Sequence, residues 1–404
     1  MKIITKQSHC SLDLDKVTPM AQGGEGEIYP IDNKSVAKVY YSDQITRERQ
    51  EKILALCAKY DFYKGLFKED SFAFPRESAA NVDTNELVGF AMQYLGKFPH
   101  LTEICFDLGQ NQYKKMQNQQ LDNSRALDLV YRLFQSLEVF HQTHIILGDI
   151  NPSNILYNFA TKNPLFIDLD TVHIEKYGCL AFSEDYLDPQ VEAQGKTVDG
   201  LLKYTSSGDQ FGMAVLAYEI FVGANPFYLR CSPNLGTVEN KRQAISLLGE
   251  HHKQSYLADK GIKILEDPTN ALILKRLDLL KTLDGRLYQY LYDVFIKEKR
   301  CNLLTRLPKS DVRNPGYSFY NANSSVRTIM DMIKDGWTEQ KKAETPLFPG
   351  NFFSKGEWDT IYQELSSIQA LKLKGSSRYQ DPEAFQKFVE NFGISYQKLL
   401  LGEQ

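Results

Sequence analysis

Cysteine is scarce in this chain, and none of it is paired in sequence. Cys10, Cys57, Cys105, Cys179, Cys231 and Cys301 are scattered over 404 residues with no Cys-x2-Cys spacing. That pattern excludes the common thiolate zinc modules and a disulfide framework, and it predicts reduced thiols in a cytoplasmic protein. An excess of one charge is also missing. The 47 Lys and Arg face 51 Asp and Glu, a formal net charge of −4, so neither nucleic acid nor an anionic membrane is an expected partner. Long apolar runs are absent too. The longest, Phe211–Ala224, contains Glu219 and falls short of the roughly 20 residues that a membrane span requires. No apolar h-region follows Met1-Lys2-Ile3-Ile4-Thr5, which adds to the cytoplasmic expectation. No internal repeat is visible. His141 and His144 stand at the end of a helical pattern, where ordinary polar roles are expected rather than metal ligation.

What the sequence does contain is four short strings in a telling order. Gln22-Gly23-Gly24-Glu25-Gly26-Glu27-Ile28-Tyr29 comes first and Val36-Ala37-Lys38 second. Gly148-Asp149-Ile150-Asn151-Pro152-Ser153-Asn154 and Phe166-Ile167-Asp168 follow. A glycine loop, a lysine, Asp-x4-Asn and a further Asp after a hydrophobic run are the parts, in order, that phosphoryl transfer from ATP needs. ATP carries its charge on the triphosphate, which backbone N–H groups, a cation and metal ions can meet. Gly23 and Gly26 would let a β-turn approach phosphates with no side chain in the way, and Gly24 adds mobility. Lys38 lies in an apolar strand read over Ser35–Tyr41, where an unpaired ammonium is costly. It is either a snorkelling edge-strand lysine or a phosphate-contacting one. The helix read over Thr46–Ala58, with Ile53, Leu54 and Cys57 as its apolar stripe, carries two acids one turn apart, Glu48 and Glu51.

Two further strands are read at Phe72–Arg76 and Leu87–Leu95, and a Gln/Asn-rich exposed loop or frayed helix at 110–124. Ser124–His141 is an amphipathic helix with Leu127, Val130, Leu133, Phe134, Leu137 and Phe140 on its stripe, capped by Asp122 or Ser124. It feeds directly into the string around Asp149.

On these strings the chain resembles the eukaryotic-like protein kinase superfamily, from about Ala21 to about Pro308. The resemblance implies an α+β, two-lobed protein-kinase-like fold: a small β-rich N-lobe over 1–95, a larger helical C-lobe over 96–308, and a C-terminal helical extension over 309–404. It implies ATP with Mg2+ or Mn2+ as cofactors. Gly23, Gly24, Gly26 and Ile28 would line the nucleotide, and Lys38 would contact its phosphates. Glu51, followed by apolar Leu54 and Ala55 as in kinases, would pair with that lysine, with Glu48 as the alternative. Met92 would stand at the back of the adenine pocket, with Gln93 and Tyr94 offering backbone groups to the adenine edge. Asp149 would orient the acceptor hydroxyl and take its proton. Asn154 and Asp168 would ligate metal, and Asp170 would add a second carboxylate. Asp188-Pro189-Gln190 sits where kinases close the activation segment. Asp209 would open a buried C-lobe helix, ending at Gly223-Ala224-Asn225-Pro226-Phe227, and fasten the catalytic loop. Further lobe helices are expected near Leu287–Ile296.

The departures from the family pattern carry their own implications. Leu147-Gly148 replaces the usual His-Arg before Asp149, so no cation waits there for a phosphorylated activation loop. Asn151 stands where many Ser/Thr kinases carry a lysine, and Gln190 replaces a glutamate that pairs with a late arginine, here Arg306. Gly-Asp-x-Asn-x-x-Asn with Asp-x-Asp resembles a divergent bacterial branch of these kinases, which implies a partner serine/threonine phosphatase and helical additions after the kinase domain. The expected function is Mg-ATP-dependent transfer to Ser/Thr hydroxyls of a protein substrate, itself included. A nucleotide-binding pseudokinase and a small-molecule kinase are the rivals. Beyond Pro308 the apolar stripes of 357–404 read as a helical hairpin or small bundle, and 228–285 as an extended helical region.

Overall fold

The computed structural model describes residues 1–66, 71–196, 201–227, 231–232, 263–308, 311 and 313. The helical hairpin expected over 357–404 and most of 228–262 lie outside the described residues. The chain divides into one unit of Met1–Leu137 with Ile145–Arg306 and another of Glu138–His144 with Leu307–Gln404. In the second unit the Thr143 hydroxyl donates to the Val139 and Phe140 carbonyls at 3.1 and 2.9 Å, and Arg313 pairs with Asp311 at 2.7 Å.

The first unit begins with a seven-stranded antiparallel sheet. Its strands are β1 (Lys2–Thr5), β2 (Ser11–Asp13), β3 (Ala21–Gln22), β4 (Gly26–Pro30), β5 (Ser35–Tyr40), β6 (Glu77–Asn81) and β7 (Leu87–Gln93), in the order β2-β1-β6-β7-β5-β4-β3. Residues 1–20 therefore extend the sheet beyond β6, an element that motif reading did not supply. Alternation decides the two faces. Ile3, Leu12, Tyr29, Ala37, Val39 and Ala79 form a closed core on one face. The register sets Ile28 and Phe90 on either side of Lys38, and Met92 beside Val36, on the other. Phe72–Arg76 is not a strand of this sheet. Pro75 has no N–H to give a ladder, so only Phe72 makes a parallel bridge, to Phe166, and regular pairing starts at Glu77.

Helix α1 (Arg47–Ala58) starts at Thr46, whose side chain accepts from the Arg49 N–H, and α2 (Tyr60–Leu66) follows. The buried positions on α1 are Arg49, Lys52, Ile53 and Leu56, while Leu54 is half exposed. The stripe is thus rotated from the expected one.

The segment expected as a loop or frayed helix forms two tight antiparallel pairs, β8 (Phe106–Asp107) with β9 (Gln112–Tyr113) and β10 (Lys115–Met116) with β11 (Gln119–Gln120). Gln117 and Asn118 both take left-handed backbone (φ 47° and 64°), the geometry that a two-residue hairpin turn demands. Helix α3 (Asn123–Gln142) comes next, and the Asp122 carboxylate caps it through the Arg125 N–H at 2.8 Å. A hairpin of β12 (Ile155–Asn158) and β13 (Asn163–Phe166) follows, then the short α4 (Pro189–Ala193).

Helix α5 (Ser206–Val222) is buried along nearly its whole length and ends at Gly223 in left-handed backbone, as an apolar-all-round helix at the centre of a lobe should. The short pair β14 (Cys231–Ser232) and β15 (Lys263–Ile264) precedes α6 (Pro268–Leu283) and α7 (Gly285–Phe295). Arg276 of α6 donates from Nε and Nη2 to the Phe221 carbonyl at 3.0 and 2.6 Å, bonding α6 to the C-terminal end of α5.

The late-arginine pairing differs from expectation. Arg300, not Arg306, holds the Asp188-Pro189-Gln190 string, through a bidentate pair with the fully buried Asp188 at 2.6 and 2.8 Å. Arg306 pairs with Asp293 at 3.0 Å, and the Gln190 amide donates to the Glu298 carbonyl at 3.3 Å. This mixed α+β architecture, an antiparallel sheet followed by a largely helical part, is compatible with a kinase-like fold. Among the described residues no helix is long and apolar enough to cross a membrane. Cys10, Cys57, Cys105, Cys179 and Cys301 are free of disulfides.

Candidate active site

The glycines of the first string serve different physical needs. Gly23 donates its N–H to the Gly26 carbonyl at 2.9 Å, closing the β3–β4 turn. Gly26 lies opposite Tyr40, and a Cβ there would come within 2.3 Å of the Val39 carbonyl oxygen. Close approach of β4 to β5 therefore requires it. A Cβ on Gly24 would meet nothing within 4 Å.

Lys38 is buried on the free face of the sheet and is surrounded by acids. Its ammonium donates to both Asp170 oxygens at 3.0 and 2.9 Å and to Glu25 at 3.2 Å, with Asp168 at 3.6 Å. Burial alone would lower its pKa, but Asp170, Asp168 and Glu25 outweigh it and hold the lysine charged. Burial would raise Asp170 in turn; Lys38 and the Tyr40 hydroxyl, which donates at 2.7 Å, hold its carboxyl below the usual range instead.

Glu51 does not take the expected place. It pairs with Arg47 at 2.9 Å and lies near Lys176 at 4.0 Å, with its side chain 38% exposed. Glu48 is exposed as well. The cause is the rotated stripe: at 3.6 residues per turn Glu51 stands about 200° around α1 from Arg49, on the solvent side. Two cations face inward in its stead. Arg49 donates to Glu25 at 2.7 Å. Lys52 is fully buried and donates to the Gly178 carbonyl at 2.9 Å, and burial pulls its pKa down to about 8.

Opposite the sheet lies the loop from Leu147 to Asn154. The Leu147 and Gly148 N–H groups donate to the two oxygens of the buried Asp209 at 2.7 and 2.8 Å. Asp209 thus fastens this loop from the first turn of α5. Gly148 has φ +74°, and a Cβ there would lie 2.4 Å from the Cys179 sulfur, so this position excludes any larger residue. The Asp149 carboxylate accepts from the Ser183 hydroxyl at 2.6 Å, from Asn151 at 3.1 Å and from Asn154 at 2.9 Å. Ser183 was not singled out in the sequence, since nothing local marks a serine that reaches back across 34 residues.

The β12–β13 hairpin brings Asp168 to this loop, because the Ile167 N–H donates to the Asn154 carbonyl at 3.0 Å. Asp168 has left-handed backbone (φ 56°) and a side chain 43% exposed. One carboxylate and one amide oxygen fit a hard cation such as Mg2+, which keeps several waters and takes few protein ligands beside substrate phosphates. Both Asp170 oxygens accept from the Lys38 ammonium, and one also accepts from the Tyr40 hydroxyl. Among the described residues no group of three His, Cys, Asp or Glu forms a self-contained metal cage. At the expected adenine edge Met92 is buried, and the Tyr94 N–H is already bonded to the Lys34 carbonyl at 2.7 Å.

The comparisons with known proteins find partial similarity to protein kinases at low identity. No protein-family model matches the chain. An Aurora kinase of Yarrowia lipolytica is 29% identical over 127 residues, covering 28% of this chain and 30% of that protein. An Aurora kinase of Patiria pectinifera is 31% identical over 120 residues, 28% of each. The serine/threonine-protein kinase PknA of Corynebacterium glutamicum is 22% identical over 211 residues, covering 49% of this chain and 42% of that protein. The chain spans less than half the length of these curated relatives. The similarities support, weakly, a place in the protein kinase superfamily and a kinase-like function.

Proposed function

We propose that the protein is an ATP- and Mg2+-dependent kinase that transfers the γ-phosphate to Ser/Thr hydroxyls of protein, itself included. The observation that carries this reading is the geometry around Asp168. Lys38 of the sheet lies 3.6 Å away, and the neighbouring Ile167 N–H donates to the carbonyl of Asn154, whose side-chain amide donates to Asp149. In this reading 1–95 is the N-lobe, 96–308 the C-lobe and 309–404 an extension. Lys38 binds phosphate oxygens, while Gly23, Gly24, Gly26, Ile28, Met92 and Gln93 line the nucleotide. Asp149 orients the acceptor hydroxyl and takes its proton. Asp168 and Asn154 would hold Mg2+, which supplies charge neutralisation on the phosphates. Gly148 offers no cation to a phosphorylated activation segment, which supports activity independent of that modification. A partner serine/threonine phosphatase would reverse the transfer.

A second reading, a nucleotide-binding pseudokinase, draws on the engagement of Lys38 by Asp170 and Glu25. Transfer of labelled γ-phosphate from ATP with Mg2+ or Mn2+, to the protein itself and to a generic acceptor, separates the two. Label present in wild type and lost in Asp149→Asn and Asp168→Asn is the result expected of a kinase. No label, but thermal stabilisation by nucleotide, supports the pseudokinase. Neither label nor stabilisation removes both readings.

A further inference from the structure

We propose that Arg49 is a phosphate-binding residue of the nucleotide site, and that Glu25 is an internal anion holding the place of the phosphates until nucleotide displaces it. The proposal rests on the nucleotide-binding reading above and adds two residues to it.

Arg49 is 7% exposed and projects from α1 toward Tyr40, with its guanidinium carbon 4.8 Å from that ring's centroid. Nη2 donates to Glu25 at 2.7 Å, while Nη1 is buried with no hydrogen-bond partner. A buried guanidinium N–H without an acceptor is strongly unfavourable, and an anion with more than one oxygen is the group that satisfies it. Glu25 is already such an anion in part. One of its oxygens accepts from Arg49 and the other from Lys38 at 3.2 Å, so a single carboxylate bridges a helix cation and a strand cation.

A triphosphate would make the same bridge with more oxygens, and it would reach Nη1 as well. Arg49 presents a planar fork suited to that geometry. Both anions cannot stay together, because Glu25 would then add like charge to a site that already holds Asp168 and Asp170. Glu25 is carried on the β3–β4 turn beside Gly24, where an added Cβ would meet nothing within 4 Å, and its own side chain is 28% exposed and outside the buried core. The sign of charge on the inner face of α1 is thus opposite to the acid expected there.

Calorimetric titration of the full chain with Mg-ATP tests this in wild type, Glu25→Gln, Arg49→Met and the double variant. Glu25→Gln should tighten binding by roughly threefold or more, since the binding-competent state no longer competes with a charged occupant. Arg49→Met should weaken binding by about tenfold, the loss of one charge-assisted contact. The gain from Glu25→Gln should shrink in the double variant. Wild type that binds ATP with Glu25→Gln no tighter overturns the inference and leaves nucleotide binding standing. Unchanged affinity in Arg49→Met overturns the arginine's role. Wild type that binds no ATP removes the nucleotide reading and this inference together. Should Arg49→Met fail to fold, the Glu25→Gln arm decides by itself.

Discussion

Replacing Lys52 with methionine should flatten part of the pH dependence of stability while changing stability little near neutrality. The side chain is fully buried, its one hydrogen bond runs to the Gly178 carbonyl at 2.9 Å, and burial lowers its pKa from 10.5 to about 8. The sign follows from linkage. Below pH 8 the lysine is charged in both states, and the folded state bears the cost of a buried charge. Between the two pKa values the unfolded chain keeps a proton that the folded chain has released, so stability rises with pH. The full difference is on the order of 3 kcal/mol, of which about 1 kcal/mol falls between about pH 7 and pH 9.

Methionine fills much the same volume without the charge. It leaves the Gly178 carbonyl without its donor, a loss of about 1–3 kcal/mol that offsets the gain near pH 7. The variant should therefore lie within about 2 kcal/mol of wild type at pH 7 and fall behind by about 1 kcal/mol more at pH 9. Urea unfolding followed by far-UV circular dichroism at both pH values measures this. His173 and Cys179 feel the Lys52 charge, but burial keeps the first below its usual range and the second above it, away from the window of about pH 7–9. The remaining titrating groups cancel in the difference. Parallel pH dependences for wild type and Lys52→Met would refute the reasoning.

Gly148→Ala should lower stability by about 2 kcal/mol or more, through left-handed backbone and the contact with Cys179; an unchanged melting temperature would contradict it. Arg300→Met should cost about 3–5 kcal/mol by stranding the buried Asp188, whereas Arg306→Met should cost about 1 kcal/mol or less. Urea midpoints that rank the two the other way would reassign the late arginine. Asp170→Asn should lower the Lys38 pKa, since Glu25 and Asp168 alone then oppose burial, so that amine-reactive labelling at fixed pH increases. Equal labelling of Lys38 by mass spectrometry would show that Asp170 is not its main counter-charge.

The local parts of this molecule were legible in the sequence. β5, β7, α1 and α3 fall close to their expected ranges because period and caps are short-range signals. α5, its leading Asp209 and α7 were legible through the resemblance to kinases. The misses are cross-chain or rotational. Ile53 and Leu56 define the inward face of α1 with Arg49 and Lys52, but reading Leu54 and Cys57 as core turned the helix and brought Glu51 inward. A one-position error in a stripe is a 100° error in direction. The hairpin at 115–120 hid in a polar tract because its signal is backbone conformation at Gln117 and Asn118. Arg300 and Ser183 could not be read at all, since each finds its partner by tertiary packing across 112 and 34 residues.

The pair of Lys38 with Asp170 has a mechanical consequence. A lysine whose acid sits on a neighbouring helix loses it when that helix alone turns. Here the acid arrives from the turn after β13, 132 residues away in sequence, and the same turn carries Asp168. The lysine cannot let go of Asp170 without parting the sheet from that turn, and cannot keep it without drawing Asp168 near. Rotation of α1 then bears on the lysine only through the Arg49–Glu25 pair, while the direct salt link ties the sheet to the turn after β13.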